Sequence, residues 1–174
     1  MQRLHNDPLL GSARALLFLF IALLIFATVM LAIGVLAVLT VQRGELSAEI
    51  AEAGLAPSAY WGVVAGLAAL LAILYLALRF TLELERIVTS VDKGDPFVDQ
   101  NAGRLARMGW LALTIQLIGL PLSAAAAYLE KLMDSGPSSM GFSGSGLLLV
   151  LVLFILARVF RKGALMRSEL EGTV

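Results

Sequence analysis

Few side chains in this chain of 174 residues could carry chemistry, and their spacing narrows the choice further. Asp95 and Asp99 lie four apart, as a working carboxylate pair would. Pro96 puts the first at a turn and leaves the second to cap a helix, so paired acid–base work is not expected there. Glu45, Glu49 and Glu52 fall at i, i+4 and i+7, one stripe of a short helix ending at Gly54. That stripe reads as a solvated acidic face, with a divalent-cation site as the sharper alternative. The single histidine, His5, has no second imidazole near it and is expected in a solvated tail rather than on a metal. Cysteine is absent, which removes disulfides, thiolate nucleophiles and thiolate metal sites together. No P-loop, H-E-x-x-H or G-x-S-x-G pattern occurs. The expectation is a protein that is not an enzyme and holds neither metal nor cofactor.

The elements that would position these groups are apolar to an unusual degree. Charge is absent from Ala15 through Val41, Ala53 through Leu78, Met108 through Leu129, and Ser135 through Ala157. About 20 helical residues at ~1.5 Å each cross a hydrocarbon core of ~30 Å. Apolar residues form 59% of the chain, against the ~45–50% of soluble proteins, and the mean hydropathy is +0.89. The reading is an all-α integral membrane protein with spans near 15–41, 58–78, 108–129 and 144–160, in a single domain over 1–174. The first run is far longer than the ~7–15 residues of a signal-peptide core, so a retained anchor helix is expected.

Basic residues give the orientation. The N-terminal tail holds Arg3 and Arg14, the middle loop Arg79, Arg86, Lys93, Arg104 and Arg107, and the C-terminal tail Arg158, Arg161, Lys162 and Arg167. Only Arg43 and Lys131 fall in the other two loops. Positive charge stays cytoplasmic, which predicts an antiparallel four-helix bundle with both termini inside. Tyr60, Trp61, Tyr128, Trp110 and Phe160 stand near the span ends, where rings anchor at the headgroup level. The loop from Glu130 to Gly146 is Gly- and Ser-rich and reads as a linker.

The middle loop, about 79–107, keeps a helical pattern on both sides of a turn. Phe80, Leu84, Ile87 or Val88, and Val91 recur at helical spacing, as do Val98, Ala102, Leu105 and Gly109. Gly94 permits the reversal, Asp95-Pro96 makes it, and Asp99 can cap the second helix. Helices two and three are thus predicted to continue on the order of 15–20 Å past the membrane as a cytosolic hairpin. Within it Arg79–Glu83 and Glu83–Arg86 are helix-surface pairs. Phe97 and Val98 either plug the tip or stand out as a docking knob. Asn101 is placed to bond carbonyls at the end of helix two, and Arg104 to reach Glu85 or a lipid phosphate.

The stretch Gly94, Asp95, Pro96, Phe97, Val98, then Asn101, Arg104, Leu105, Gly109 and Trp110 resembles a family of small bacterial four-span membrane proteins. That family is known as domain of unknown function 2975, with the signature G-x-P-F-V-x-x-N-x-x-R-L-x-x-I-G-W. Gln100 stands where many members have Glu, and Met108 where Ile is usual. The resemblance implies a multi-pass protein of the bacterial cytoplasmic membrane and no known reaction. It also implies, because such proteins look to be encoded beside a helix-turn-helix regulator, a transcription factor as partner.

Two functional expectations follow. The first is a non-enzymatic membrane regulator that binds or sequesters a cytoplasmic helix-turn-helix protein through the hairpin, without touching nucleic acid itself. The second is a carrier of lipid or a neutral hydrophobe, entering near Gln116 and Pro121 in the third span. Against the second, a lone Gln at depth commonly bonds a neighbouring helix. Gly62 and Gly66, and Gly119, Ser123 and Ala127, form small-residue faces that suit bundle packing or a homodimer.

Overall fold

The computed structural model describes residues 8–92, 96–132 and 144–171, the side chains of 8–10, 128–132, 170 and 171 excepted. Five helices follow in order: α1 (Pro8–Thr40), α2 (Arg43–Glu52), α3 (Ala59–Asp92), α4 (Asp99–Leu132) and α5 (Gly144–Glu171). Among the described residues there is no strand. Four helical segments are long and apolar enough to cross a membrane: Gly11–Thr40, Ala59–Asp92, Asp99–Ala127 and Gly144–Glu169. Helices α3 and α4 each have 34 residues, about 50 Å at 1.5 Å per residue. Each therefore outruns a ~30 Å hydrocarbon core by several turns, as the apolar periodicity past Arg79 predicts.

Helix–helix contacts join α1 to α3, α3 to α4 and α4 to α5, while α2 touches α1 and α3. Along each pair the residue numbers rise on one helix as they fall on the other. Arg14 meets Asp92 and Val38 meets Tyr60 between α1 and α3. Glu83 meets Arg107, and Ser90 meets Asn101, between α3 and α4. The buried centre is Leu105, Met108 and Ala112 of α4 against Val150, Leu153 and Ala157 of α5, with Phe80, Leu84 and Ile87 of α3 packed on it. Among its described side chains α1 buries only Ile21 and Leu24, and most of its large apolar side chains are exposed. Bare aliphatic surface of this kind is what a lipid-facing helix presents.

Glycine sets how closely α5 approaches α4 and the turn before it, at positions outside the small-residue faces read from spacing. A Cβ on Gly109 would lie 3.0 Å from the Phe154 ring, and one on Gly163 would lie 3.0 Å from the Phe97 ring. One on Gly146 would overlap the Gln116 amide. Gly62 and Gly119, by contrast, face nothing within 4 Å, and Gly66 meets only Leu122, at 3.7 Å. The small-residue faces read from spacing are therefore not the closest contacts between these helices. Gly146, assigned to a linker, lies inside α5, which begins at Gly144. The rest of that linker through Ser143, apart from the end of α4 up to Leu132, lies outside the described residues.

At the opposite end from the α3–α4 turn, α2 is the short acidic helix its charge stripe predicts. Gly54 adopts φ +70° just beyond it. Leu55 N–H donates to the Ile50 carbonyl and Gly54 N–H to that of Ala51, both at 3.0 Å. This left-handed reversal closes the helix at a residue where L side chains are strained. Tyr60 is not the interfacial anchor its position suggests. It is 6% exposed, donates from its hydroxyl to the Val38 carbonyl at 3.3 Å, and lies under the Arg43 guanidinium at 5.8 Å. Trp61 beside it is the exposed ring.

Candidate functional site

Several of the polar residues beyond the apolar windows come together in the hairpin made by the end of α3 and the start of α4. Glu83 is the first of two anchors. It lies on the same helix face as Phe80, Leu84 and Ile87, so folding that face against α4 takes a carboxylate with it. Its side chain is 5% exposed. Oε1 accepts from Arg107 Nε at 3.1 Å and Arg86 Nη1 at 3.2 Å, and Oε2 accepts from Arg107 Nη2 at 3.2 Å. A buried carboxylate costs several kcal/mol unless its oxygens are paired, and a guanidinium fork matches both at once. The two arginines are 55% and 58% exposed in their side chains, so only the anion is desolvated.

Asn101 is the second anchor and is fully buried. Its Nδ2 donates to Ser90 Oγ at 2.5 Å and to the Pro96 carbonyl at 3.0 Å, while Oδ1 accepts from Arg104 Nη1 at 2.8 Å. Arg104 Nη1 also donates to the Arg86 carbonyl at 3.2 Å. One amide thus ties α3, the turn and α4 together with both its donors and its acceptor used, as a buried polar group requires. The Asn101 backbone N–H donates to the Val98 carbonyl at 2.9 Å and opens α4. Asp99 is the first helical residue rather than the residue before it. There its carboxylate complements the helix N-terminus.

The remaining signature residues divide between packing and surface. Leu105 is buried in the core, and Gly109 is buried under Phe154. Trp110 stays 63% exposed with its ring edge-on to Phe154 at 5.5 Å. Phe97 rests on Phe160 at 5.2 Å and on Gly163, yet is 44% exposed. It is therefore both a plug against α5 and a surface ring, and Val98 beside it is half-buried. Gly94 and Asp95, read as the reversal itself, lie outside the described residues.

Several pairings differ from those read in the sequence. Arg104 goes to Asn101 and a carbonyl, and Glu85 accepts instead from the Thr89 hydroxyl at 2.8 Å. Asn101 finds a hydroxyl and the turn carbonyl rather than the last carbonyls of α3. Arg79 donates to the Tyr75 hydroxyl at 3.1 Å rather than to Glu83. Glu83–Arg86 is present as expected. The pairs that sequence reading missed are Glu83–Arg107, Asn101–Ser90 and Arg14–Asp92, the last at 3.0 Å. A visible signal existed for the first, because a lone carboxylate on an apolar helix face needs a cation opposite it. The Gln116 side chain packs against Gly146 of α5. Among the described residues no three His, Cys, Asp or Glu side chains converge as a metal site would need, the Glu45 stripe included.

Two open clefts flank the hairpin. One, of about 310 Å³, lies between α3 and α4 and is lined by Arg86, Thr89, Gln100 and Arg104 among others. The other, also about 310 Å³, lies between the tip and the end of α5, with Phe97, Asp99 and Leu165 on its walls.

Four apolar helices, two of them prolonged into a polar, cross-braced hairpin, define a multi-pass membrane protein. The chain belongs to the family described as protein of unknown function (DUF2975), which matches residues 39–174. The match covers α2 to α5 and reaches back only to the end of α1. No curated protein and no solved structure matches the chain.

Proposed function

We propose that this protein is a non-enzymatic regulator of a bacterial cytoplasmic membrane, whose hairpin binds or sequesters a cytoplasmic helix-turn-helix protein. In this reading the four long helices form an antiparallel bundle with both termini and the hairpin inside, where 11 of the 13 basic residues then lie. The observation that carries it is the contrast at the tip. Glu83 and Asn101 hold the hairpin in one shape, while Phe97 stays 44% exposed beside a cleft. A pre-ordered apolar ring on a polar rim is the form of a docking hot spot, because little entropy is lost when the partner arrives. The alternative, a carrier of lipid or a neutral hydrophobe entering near Gln116 and Pro121, has less to support it, since the Gln116 side chain packs closely against Gly146 of α5.

Purification of the tagged protein from native membranes, with mass spectrometry of what accompanies it, tests the proposal. A stoichiometric helix-turn-helix protein is expected, lost on Phe97→Ala while the membrane protein keeps its abundance. Arg104→Ala is a poorer probe, since it also unlatches Asn101. Recovery of the wild-type protein with lipid alone would overturn the regulator reading.

A further inference from the structure

We infer that the α3–α4 face at the charged end of the spans is a binding site for a single phosphate group, of the kind an anionic phospholipid headgroup carries. On this face Arg86 and Arg104 line one cleft, Arg107 meets Arg86 across Glu83, and Arg79 lies about two helical turns before Arg86 on α3. Glu83 is offset by two arginines, whereas Glu85, which lines the cleft, accepts from the Thr89 hydroxyl and keeps its charge; the surplus stays positive, Arg86, Arg104 and Arg107 against Glu83 and Glu85. The arginines are not used up in return. Arg86 spends only Nη1 on Glu83, and its side chain is 55% exposed. Arg104 spends only Nη1, on Asn101 and a carbonyl. The Nε and Nη2 groups of both therefore remain as donors around a cleft of about 310 Å³, with the Gln100 and Thr89 side chains also on its lining.

Long side chains bring the inner edge of the cleft within reach of the headgroup layer. Arg79 is the first charge after the apolar part of α3, and Arg86 lies seven residues on, about 10 Å at helical rise. Tyr75 at 50% and Trp110 at 63% exposure stand on the membrane side of the cluster, where amphipathic rings mark the interface. Guanidinium forks recognise phosphate oxygens two at a time, and basic clefts between spanning helices are the usual seats of anionic headgroups. Glu83 holds the Arg86 guanidinium, and Asn101 with the Arg86 carbonyl holds that of Arg104, so a phosphate would meet two side chains already tethered.

The test titrates the full-length protein in neutral detergent with dioctanoyl phosphatidylglycerol and, separately, with inorganic phosphate, by calorimetry. One saturable lipid site is expected, weakened about tenfold by Arg86→Gln, as loss of a charge-assisted contact implies. Arg107 still holds Glu83 in that variant, so the fold should survive. Arg158→Gln removes the same charge from α5 and should change affinity less than about twofold. Should Arg86→Gln not accumulate, Arg86→Lys keeps the charge, loses the fork, and should bind about threefold more weakly. Inorganic phosphate that saturates at the lipid's concentration and displaces it would assign the same site to a soluble phosphate. Absence of a saturable site, or equal losses in Arg86→Gln and Arg158→Gln, would overturn the inference.

Discussion

The two ends of the helical array use charge in opposite ways. At the α3–α4 end, Glu83 is buried and bridged across two helices, and Asn101 is buried and bonded to three segments of chain. At the α2 end, Glu45, Glu49 and Glu52 are all exposed, and that end is held by Ile50, Tyr60 and the Gly54 reversal. The difference teaches where polar side chains become architecture. A hairpin that leaves the apolar span has no lipid to define its pairing, so specific polar bridges must fix its register. A short helix lying over the ends of two spans is already placed by its apolar face.

The sharpest way to break this comparison is to remove the cations at one end and the anions at the other. Arg86→Ala with Arg107→Ala would strand a buried carboxylate and should cost about 3 kcal/mol. Glu45→Gln, Glu49→Gln and Glu52→Gln together should stay within about 0.5 kcal/mol of wild type, as exposed substitutions do. Thermal unfolding of the purified protein in detergent, followed by circular dichroism, measures both. Equal losses would mean that the buried pairing confers no special stability.

A second comparison lies within the hairpin. Asn101→Ala leaves the Pro96 carbonyl and Ser90 hydroxyl without their partner and opens a void, for about 2 kcal/mol. Asn101→Asp keeps the volume but sets a carboxylate against the Pro96 carbonyl, so it should lose a comparable amount. If the Asp variant unfolds at the wild-type temperature in the same assay, volume rather than hydrogen bonding holds the turn.

How much of this was legible follows from the range over which each feature is encoded. The apolar runs and the Gly54 stop are local, and the sequence shows them directly. Tyr60 reads as an interfacial ring because its position in the chain says so, but whether α1 ends within reach of its hydroxyl is a tertiary fact. The glycines that pack closest are not those of the small-residue faces, for a related reason. In helices apolar on nearly every side, a G-x-x-x-G spacing identifies a smooth face without saying that a neighbour lies against it. Gly109, Gly146 and Gly163 matter because Phe154, Gln116 and Phe97 happen to face them. Among the signature residues, Asn101 and Arg104 were legible as polar groups near a turn. Their actual partners, and Arg107 for Glu83 at 24 positions' distance, depend on how α3 and α4 register against each other.

The smallest effect concerns α1, which meets the hairpin end through one ion pair. Arg14 and Asp92 are 37% and 28% exposed in their side chains, far more open than Glu83. Water and salt screen such a pair, so a double-mutant cycle over Arg14→Ala and Asp92→Ala should give a coupling of about 0.5 kcal/mol. The coupling should shrink as salt rises. Helix α1 is held instead by the packing of residues such as Ile21 and Leu24 along α3, which neither substitution touches. A coupling above about 2 kcal/mol would instead place the pair in the class of the buried Glu83 bridges. Helix α1 would then belong to the cross-braced hairpin, and the polar architecture would extend from α3 and α4 to α1 as well.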